Sequence, residues 1–228
     1  MTVTPVSLVL TALLALFLSS AAQAQSLNLQ QVTHKLEEAR AGVEDISARA
    51  EFSFRLNVGI IPYNDTLRGN YYFKKPDRHR LDFPDAPSYL KSVPSMFSWK
   101  LPSAEKYEAT VTGPTLTDKG EPFYQMLFTS KNPASKTASI NVVVDAIRWR
   151  VARQDTLYRD GGSVLLTFSY IEHLSSGRRE KGLSLLEKVS GTIDIPAYRL
   201  RGTAALILSE QKVNKGVDDS VFTGGSEP

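Results

Sequence analysis

From Ile46 onward, segment after segment of this chain places apolar residues at every second position, and that period of two constrains the fold more than any other feature. Ile46, Ala48, Ala50, Phe52, Phe54 and Leu56 alternate with Ser47, Arg49, Glu51, Ser53 and Arg55, which predicts a long strand with one wet face. Leu67–Lys74 repeats the pattern, with Leu67, Gly69, Tyr71 and Phe73 opposite Arg68, Asn70, Tyr72 and Lys74. A basic turn, Lys75-Pro76-Asp77-Arg78, follows, and Arg80–Phe83 resumes with Leu81 and Phe83 on the apolar side. Pro76 has no N–H to give to a ladder, so it belongs between strands.

The same reading predicts strands over Tyr107–Thr112, Phe123–Thr129, Ser139–Asp145, Ile147–Gln154, Ser163–His173, Ser184–Ile195 and Thr203–Lys212. Turn chemistry falls at Gly113-Pro114, Asp145-Ala146, Asp160-Gly161-Gly162, Ser176-Gly177 and Gly202. Ile147, Trp149 and Val151 against Arg148, Arg150 and Arg153 make the cleanest alternation, while Ala204, Leu206 and Leu208 opposite Ala205 and Ile207 allow cover on both faces. Roughly ten strands in succession, mostly joined as hairpins, predict one antiparallel sheet that curls or closes.

The one helix predicted ahead of the strands is Asn28–Ala41. Asn28 caps it, Gln31 completes a capping box, and Leu29, Val32, Leu36, Ala39 and Val43 form the apolar stripe, with Lys35, Glu37, Glu38 and Arg40 kept wet. Gly42 stops it. Asp85–Pro102 breaks the strand pattern with Pro87, Pro94 and Pro102, yet carries Tyr89, Leu90, Val93, Met96, Phe97 and Trp99. Tyr89–Val93 suits a short helical turn, and so apolar a loop must cover something.

At the N-terminus, Val6–Leu18 is an uncharged apolar run followed by small residues, with Ala22 and Ala24 forming an A-x-A cleavage signal. Residues 1–24 read as a signal peptide despite an n-region without Lys or Arg. The rival reading, a membrane anchor, needs ~20 apolar residues, more than the run supplies. With Cys 0, neither a disulfide framework nor a lipid-bearing cysteine is available. The net charge of +3 is too slight to argue for nucleic acid. No repeat or linker divides the chain, so residues 25–223 read as one domain and residues 224–228 as a disordered tail.

No catalytic chemistry is spelled out. His34, His79 and His173 lack companions at metal-ligand spacing, no G-x-S-x-G elbow surrounds a serine, and Gly161-Gly162 reads as a hairpin turn rather than a phosphate loop. The chain reads as a non-enzyme with neither cofactor nor metal.

The order of these parts resembles the LolA/LolB-like periplasmic carriers of the outer-membrane lipoprotein-sorting family. The resemblance rests on the N-terminal helix running into a long strand and on the strand–K/R-x-P–strand stretch Gly69–Arg80. The run Val142-Val143-Val144-Asp145 and the closing segment Lys212–Phe222 extend it over the whole mature chain. It implies a mainly β fold, an incomplete antiparallel β-barrel (half-barrel) covered by the N-terminal helix and a helical or loop lid. Acyl chains would bind between barrel and lid.

On that resemblance, the cavity would be lined by Leu29, Val32, Leu36, Phe52, Phe54, Tyr71, Phe73, Leu81, Phe83, Tyr89, Leu90, Met96, Phe97 and Trp99. Lys75 stands where the family's lid-latching arginine precedes the proline, which implies a weaker or differently built latch. The segment Asp85–Pro102 lacks the family's aspartate–glycine turn, which implies a rebuilt lid. The implied partners are lipoprotein or lipid acyl chains, an inner-membrane donor and an outer-membrane acceptor, with no nucleic acid and a monomeric carrier.

Each feature also has a plainer reading. The helix stripe and the aromatic set serve equally as ordinary core. The basic run Lys74, Lys75, Arg78, His79 and Arg80 serves either as a solvated hairpin tip or as a contact for anionic headgroups or an acidic partner. A different class of function, a lipid-sensing regulatory or scaffold module of the RseB/MucB type that binds a membrane protein, fits the same parts.

Overall fold

The computed structural model describes residues 27–84, 86, 101–173 and 183–223. Helix α1 (Leu29–Glu38) starts as its sequence dictates: Asn28 Oδ1 accepts from Gln31 N, and Gln31 Oε1 accepts from Asn28 N, both at 2.9 Å. Val32 and Leu36 are buried beneath it, whereas Ala39, at the cap, is exposed and lies off the stripe.

Ten strands follow: β1 (Asp45–Val58), β2 (Ile61–Lys74), β3 (Arg78–Asp82), β4 (Tyr107–Leu116), β5 (Pro122–Ser130), β6 (Thr137–Asp145), β7 (Arg150–Tyr158), β8 (Ser163–His173), β9 (Leu183–Ile195) and β10 (Leu200–Val213). A 3-10 turn, Pro196–Tyr198, joins the last two, and a single helical turn, α2 (Ser220–Thr223), follows β10.

All ten strands form one antiparallel sheet in the order β3-β2-β1-β10-β9-β8-β7-β6-β5-β4. The last strand pairs with the first, Phe52 facing Leu206 and Phe54 facing Ala204. The connection after β3 therefore runs from one edge of the sheet to the other. The sheet is not closed, and β3 and β4 are its edges. Unpaired edges invite association. Here α2 lies against β3, and α1 approaches β4.

One face carries the core. Phe52, Met126, Phe128, Val142, Val144, Leu166 and Val189 are buried on it, with Val32 and Leu36 of α1 packed in the same cluster. Phe52 meets Phe54 and Phe83 at ring-centroid separations of 5.7 and 6.3 Å.

Several expectations need correction. Ile147 and Trp149 do not begin β7: Asp145 Oδ1 accepts from Ile147 N (2.9 Å) and Arg148 N (3.1 Å), closing a side-chain-capped turn. Trp149 takes a left-handed φ of 52° in that turn and stacks on Tyr124. Gly113-Pro114 is no turn either. β4 runs through it with a bulge between Thr112 and Thr115, which an edge strand tolerates. Gly202 sits inside β10, where a Cβ would collide with the Arg55 carbonyl of the neighbouring strand. Leu206 and Leu208 are buried but Ile207 is exposed, so β10 is covered on one face. The apolar segment containing Tyr89, Leu90, Met96, Phe97 and Trp99 lies outside the described residues, as do residues 1–26 and 224–228. Ala86 and Leu101, which flank it, pack on the core.

Candidate functional site

The site lies at the end of the sheet where β1 begins and β2 and β10 finish, under the C-terminal end of α1. There the chain leaves a cavity of about 330 Å³. Its floor is apolar: Val43, Tyr71, Phe73, Leu185 and Leu208 are buried, joined by Ile46 and Leu186. Glu37, Arg40, Lys75, Ser184 and Gln211 supply its polar lining. The Gln211 amide is turned to the strands, donating to the Leu186 (2.7 Å) and Leu208 (3.3 Å) carbonyls. A wider depression of about 770 Å³, lined by polar residues such as Ser53, Thr192 and Thr203 together with Leu165 and Ala205, is open to solvent.

Arg40 and Tyr170 set the electrostatics. Burial lowers the Arg40 guanidinium to about 10, with Tyr170, Tyr71 and Glu37 acting against the shift, so it remains a cation at neutral pH. Burial pushes the Tyr170 phenol up to about 12, and its hydroxyl donates to the Val151 carbonyl at 2.7 Å. Arg150 lies over the Tyr170 ring at 4.8 Å and donates to Ser184 Oγ at 2.6 Å, tying the cavity rim to Glu172.

Lys75 fastens the helix end. Its Nζ donates to the Ala41 carbonyl at 2.7 Å and meets Glu44 Oε1 at 2.6 Å, while its backbone N–H donates to the Glu44 carbonyl at 2.9 Å. The β2–β3 turn thus holds the stretch that leads from α1 into β1. Asn214 supports the same stretch, accepting from Glu44 N (2.8 Å) and donating to the Gly42 carbonyl (2.8 Å).

The rest of the basic run is directed at the chain's own C-terminal segment. Lys74 donates to the Val217 carbonyl (2.8 Å) and to Asp219 (2.5 Å), Arg80 to the Val221 carbonyl (2.6 Å), and Arg78 pairs with Asp219 at 3.0 Å. His79 Nδ1 shares a hydrogen with the Tyr71 hydroxyl at 2.9 Å. Buried Asp45 completes the attachment by accepting from the N–H groups of Lys215 and Gly216, each at 3.1 Å. Neither a bare solvated tip nor an open headgroup patch describes this hairpin; it is an anchor for the tail.

Of the residues predicted to line a cavity, Tyr71 and Phe73 do so, and Lys75 joins them. Val32, Leu36, Phe52, Phe54 and Phe83 are packed in the core, with Leu29 and Leu81 partly buried against it. The helix pattern places Arg40 on the wet face, whereas it lines the cavity. It follows Leu36 by four residues, so the helical face of Val32 and Leu36 continues onto it. Among the described residues no group of His, Cys, Asp or Glu could hold a metal ion, and no helix is long and apolar enough to cross a membrane.

No family model matches the sequence, and neither does any curated protein. Solved structures do match. A Vibrio parahaemolyticus domain named as an outer membrane lipoprotein-sorting protein superposes with a TM-score of 0.57 at 13% identity, over 84% of this chain and 94% of that one. The chain has the LolA-like fold. A DUF1329 family protein from Desulfovibrio piger superposes at 0.53 with 11% identity, over 84% and 94% of the two chains. A LolA superfamily protein from Nitrosomonas europaea gives 0.47 at 12% identity, over 86% and 98%.

Proposed function

We propose that the mature protein is a periplasmic, non-enzymatic carrier that binds acyl chains of lipoproteins or lipids and delivers them toward the outer membrane. The observation that carries this reading is the cavity of about 330 Å³ where the C-terminal end of α1 meets the apolar face of a LolA-like sheet. An ordinary core closes such space, since interiors pack with few voids larger than a water molecule. Residues 1–24 direct export, and Lys75 latches the helix cover over the cavity. Binding draws on the burial of methylenes at ~0.8 kcal/mol each, so release proceeds by contact with an acceptor rather than through water.

Native mass spectrometry of protein isolated from the periplasm tests this directly. A co-purifying acylated molecule supports the carrier. Apo-protein that captures one membrane protein, and no lipid, refutes it in favour of a sensor of the RseB/MucB type.

A further inference from the structure

Ile60, at the tip of the β1–β2 hairpin, is the most exposed large hydrophobic side chain among the described residues, at 99%. Val58, Ile61, Pro62 and Tyr63 are exposed beside it. Single apolar side chains on a surface are ordinary, whereas a contiguous group of them marks a contact site. The turn itself asks for nothing apolar. Val58 pairs with Ile61, and Gly59 takes the left-handed φ of 66° that a two-residue hairpin needs at its first position. The second position, held by Ile60, accepts polar turn residues freely.

The surroundings indicate what covers this tip. The Gly59 N–H donates to the Arg199 carbonyl at 2.8 Å, which sets the hairpin beside the Pro196–Tyr198 turn. Tyr198 is exposed there, its hydroxyl accepting from Lys136 Nζ at 3.1 Å, and Arg199 is exposed next to it. Two nearby carboxylates are engaged: Asp194 pairs with Arg201 at 2.9 Å, and Asp160 accepts from Gly162 N at 3.0 Å. Aliphatic side chains at an apex, with tyrosines and cations set behind them, match the layers of a bilayer from hydrocarbon to headgroup phosphate. A protein partner would need a pocket shaped to a convex tip; a fluid bilayer needs none. Strand pairing with a second copy is discouraged. Among the described residues β3 covers only residues 70–74 of β2, but the uncovered stretch carries Pro62, Asp65 and Arg68, which blunt an edge.

We infer that the hairpin of residues 58–63 is a membrane-contact device that inserts Ile60 and Ile61 into the surface layer of a phospholipid bilayer, with Tyr63 and Tyr198 at headgroup level and Arg199 against phosphate. The cavity lies at the opposite ends of β1, β2 and β10, ~40 Å away at about 3.3 Å per strand residue. The hairpin thus tethers the protein without blocking the cavity. This inference stands on the hairpin and does not depend on the acyl-binding reading.

Flotation of the mature protein with vesicles of phosphatidylethanolamine and phosphatidylglycerol tests it. The wild type is expected to float with the vesicles, and Ile60→Asp to bind ~tenfold or more weaker. Ile60→Asp should keep the thermal midpoint, since the turn position tolerates aspartate. Because the chain has no cysteine, Ile60→Cys gives a single site for an environment-sensitive fluorophore. Leu116→Cys, exposed at the other end of the sheet, is the control. Vesicles should shift the emission of the label at position 60 to the blue and leave that at 116 unchanged. A wild type that stays with the buffer overturns the inference, as does equal binding by Ile60→Asp. A label that shifts at 116 and not at 60 overturns it too. A shift at 60 that grows with protein concentration in the absence of vesicles overturns it in favour of self-association.

Discussion

Replacing Lys75 with methionine removes the side-chain half of the proposed latch and leaves the rest of the turn in place. The substitution deletes the Nζ bond to the Ala41 carbonyl and the ion pair with Glu44, but the backbone bond from Lys75 N to the Glu44 carbonyl survives. Methionine also keeps the unbranched stem, so little packing is lost. The ion pair is modest, because the Lys75 and Glu44 side chains are 37% and 65% exposed; pairs of this kind are worth about 0–1 kcal/mol. The hydrogen bond from an ammonium to a carbonyl adds more, though its partial exposure keeps it near ~1 kcal/mol. Together they hold the helix end down by about 1.5 kcal/mol, or roughly tenfold in the population of the open form.

Hydrogen exchange followed by mass spectrometry reads that population region by region, because local openings have their own free energies. In Lys75→Met, peptides covering residues 29–42 are expected to lose about tenfold in protection, while those covering β5 to β8 stay unchanged. Unaltered exchange in α1 would show that Lys75 latches nothing. Uniform loss across the sheet would show that Lys75 supports the whole fold rather than a movable cover.

Three further outcomes follow from the tail anchor and the sheet. Asp45→Ala leaves the Lys215 and Gly216 N–H groups without their acceptor and is expected to cost on the order of 2 kcal/mol in urea denaturation; an unchanged midpoint would contradict the anchor. The Asp219 carboxyl is held below its usual range chiefly by the Lys74 hydrogen bond, with Arg78 assisting. Its folded value thus lies below its unfolded one, so the stabilisation is complete above the unfolded value and lost as pH falls through the folded one. The Phe222 ring, 5.2 Å from the Arg78 guanidinium, should therefore keep its NMR shift from pH 7 to 5 and move to free values only below about pH 4, whereas Asp219→Asn should weaken the contact already at pH 7. Gly69→Ala puts a Cβ against the Asp82 carbonyl of β3 and should lower the thermal midpoint by ~4 °C or more; an unshifted midpoint would mean that β3 yields freely.

Long stretches of alternation translated well: Ser163–His173 is strand from end to end, and Asn28 and Gln31 make the predicted box. Failure came where local pattern and tertiary contact disagree. Ile147, Trp149 and Val151 alternate as a strand would, yet the Asp145 carboxylate captures the Ile147 and Arg148 N–H groups and Trp149 finds Tyr124. Gly202 looks like a turn residue, but its smallness serves the close passage of β1. The tail anchor joins residues about 140 positions apart, which no local window contains. The cavity was half legible. Its aromatic floor follows from β2, while Arg40, Tyr170 and Gln211 enter it only because strand ends and the helix end converge there.

In the proposed carrier, α1 would suit the role of a cover. Its fully buried apolar anchors are Val32 and Leu36, and burying such side chains is worth ~1.5–3 kcal/mol each, or about 3–6 kcal/mol together. A chain of about ten methylenes filling the cavity gains on the order of 8 kcal/mol at ~0.8 kcal/mol each, so the two terms are comparable. A short chain can occupy the space already present, but each methylene beyond its capacity must find apolar surface elsewhere. The nearest such surface is the one that Val32 and Leu36 occupy in the core. Displacing those two side chains would exchange one apolar contact for another at little net cost, provided the Lys75 latch adds only the ~1.5 kcal/mol argued above. A stronger latch would confine binding to short chains, and a weaker one would leave the apolar face open to water when no ligand is present. In the proposed carrier, the lysine bridge would thus be matched to a cover that both closes and yields.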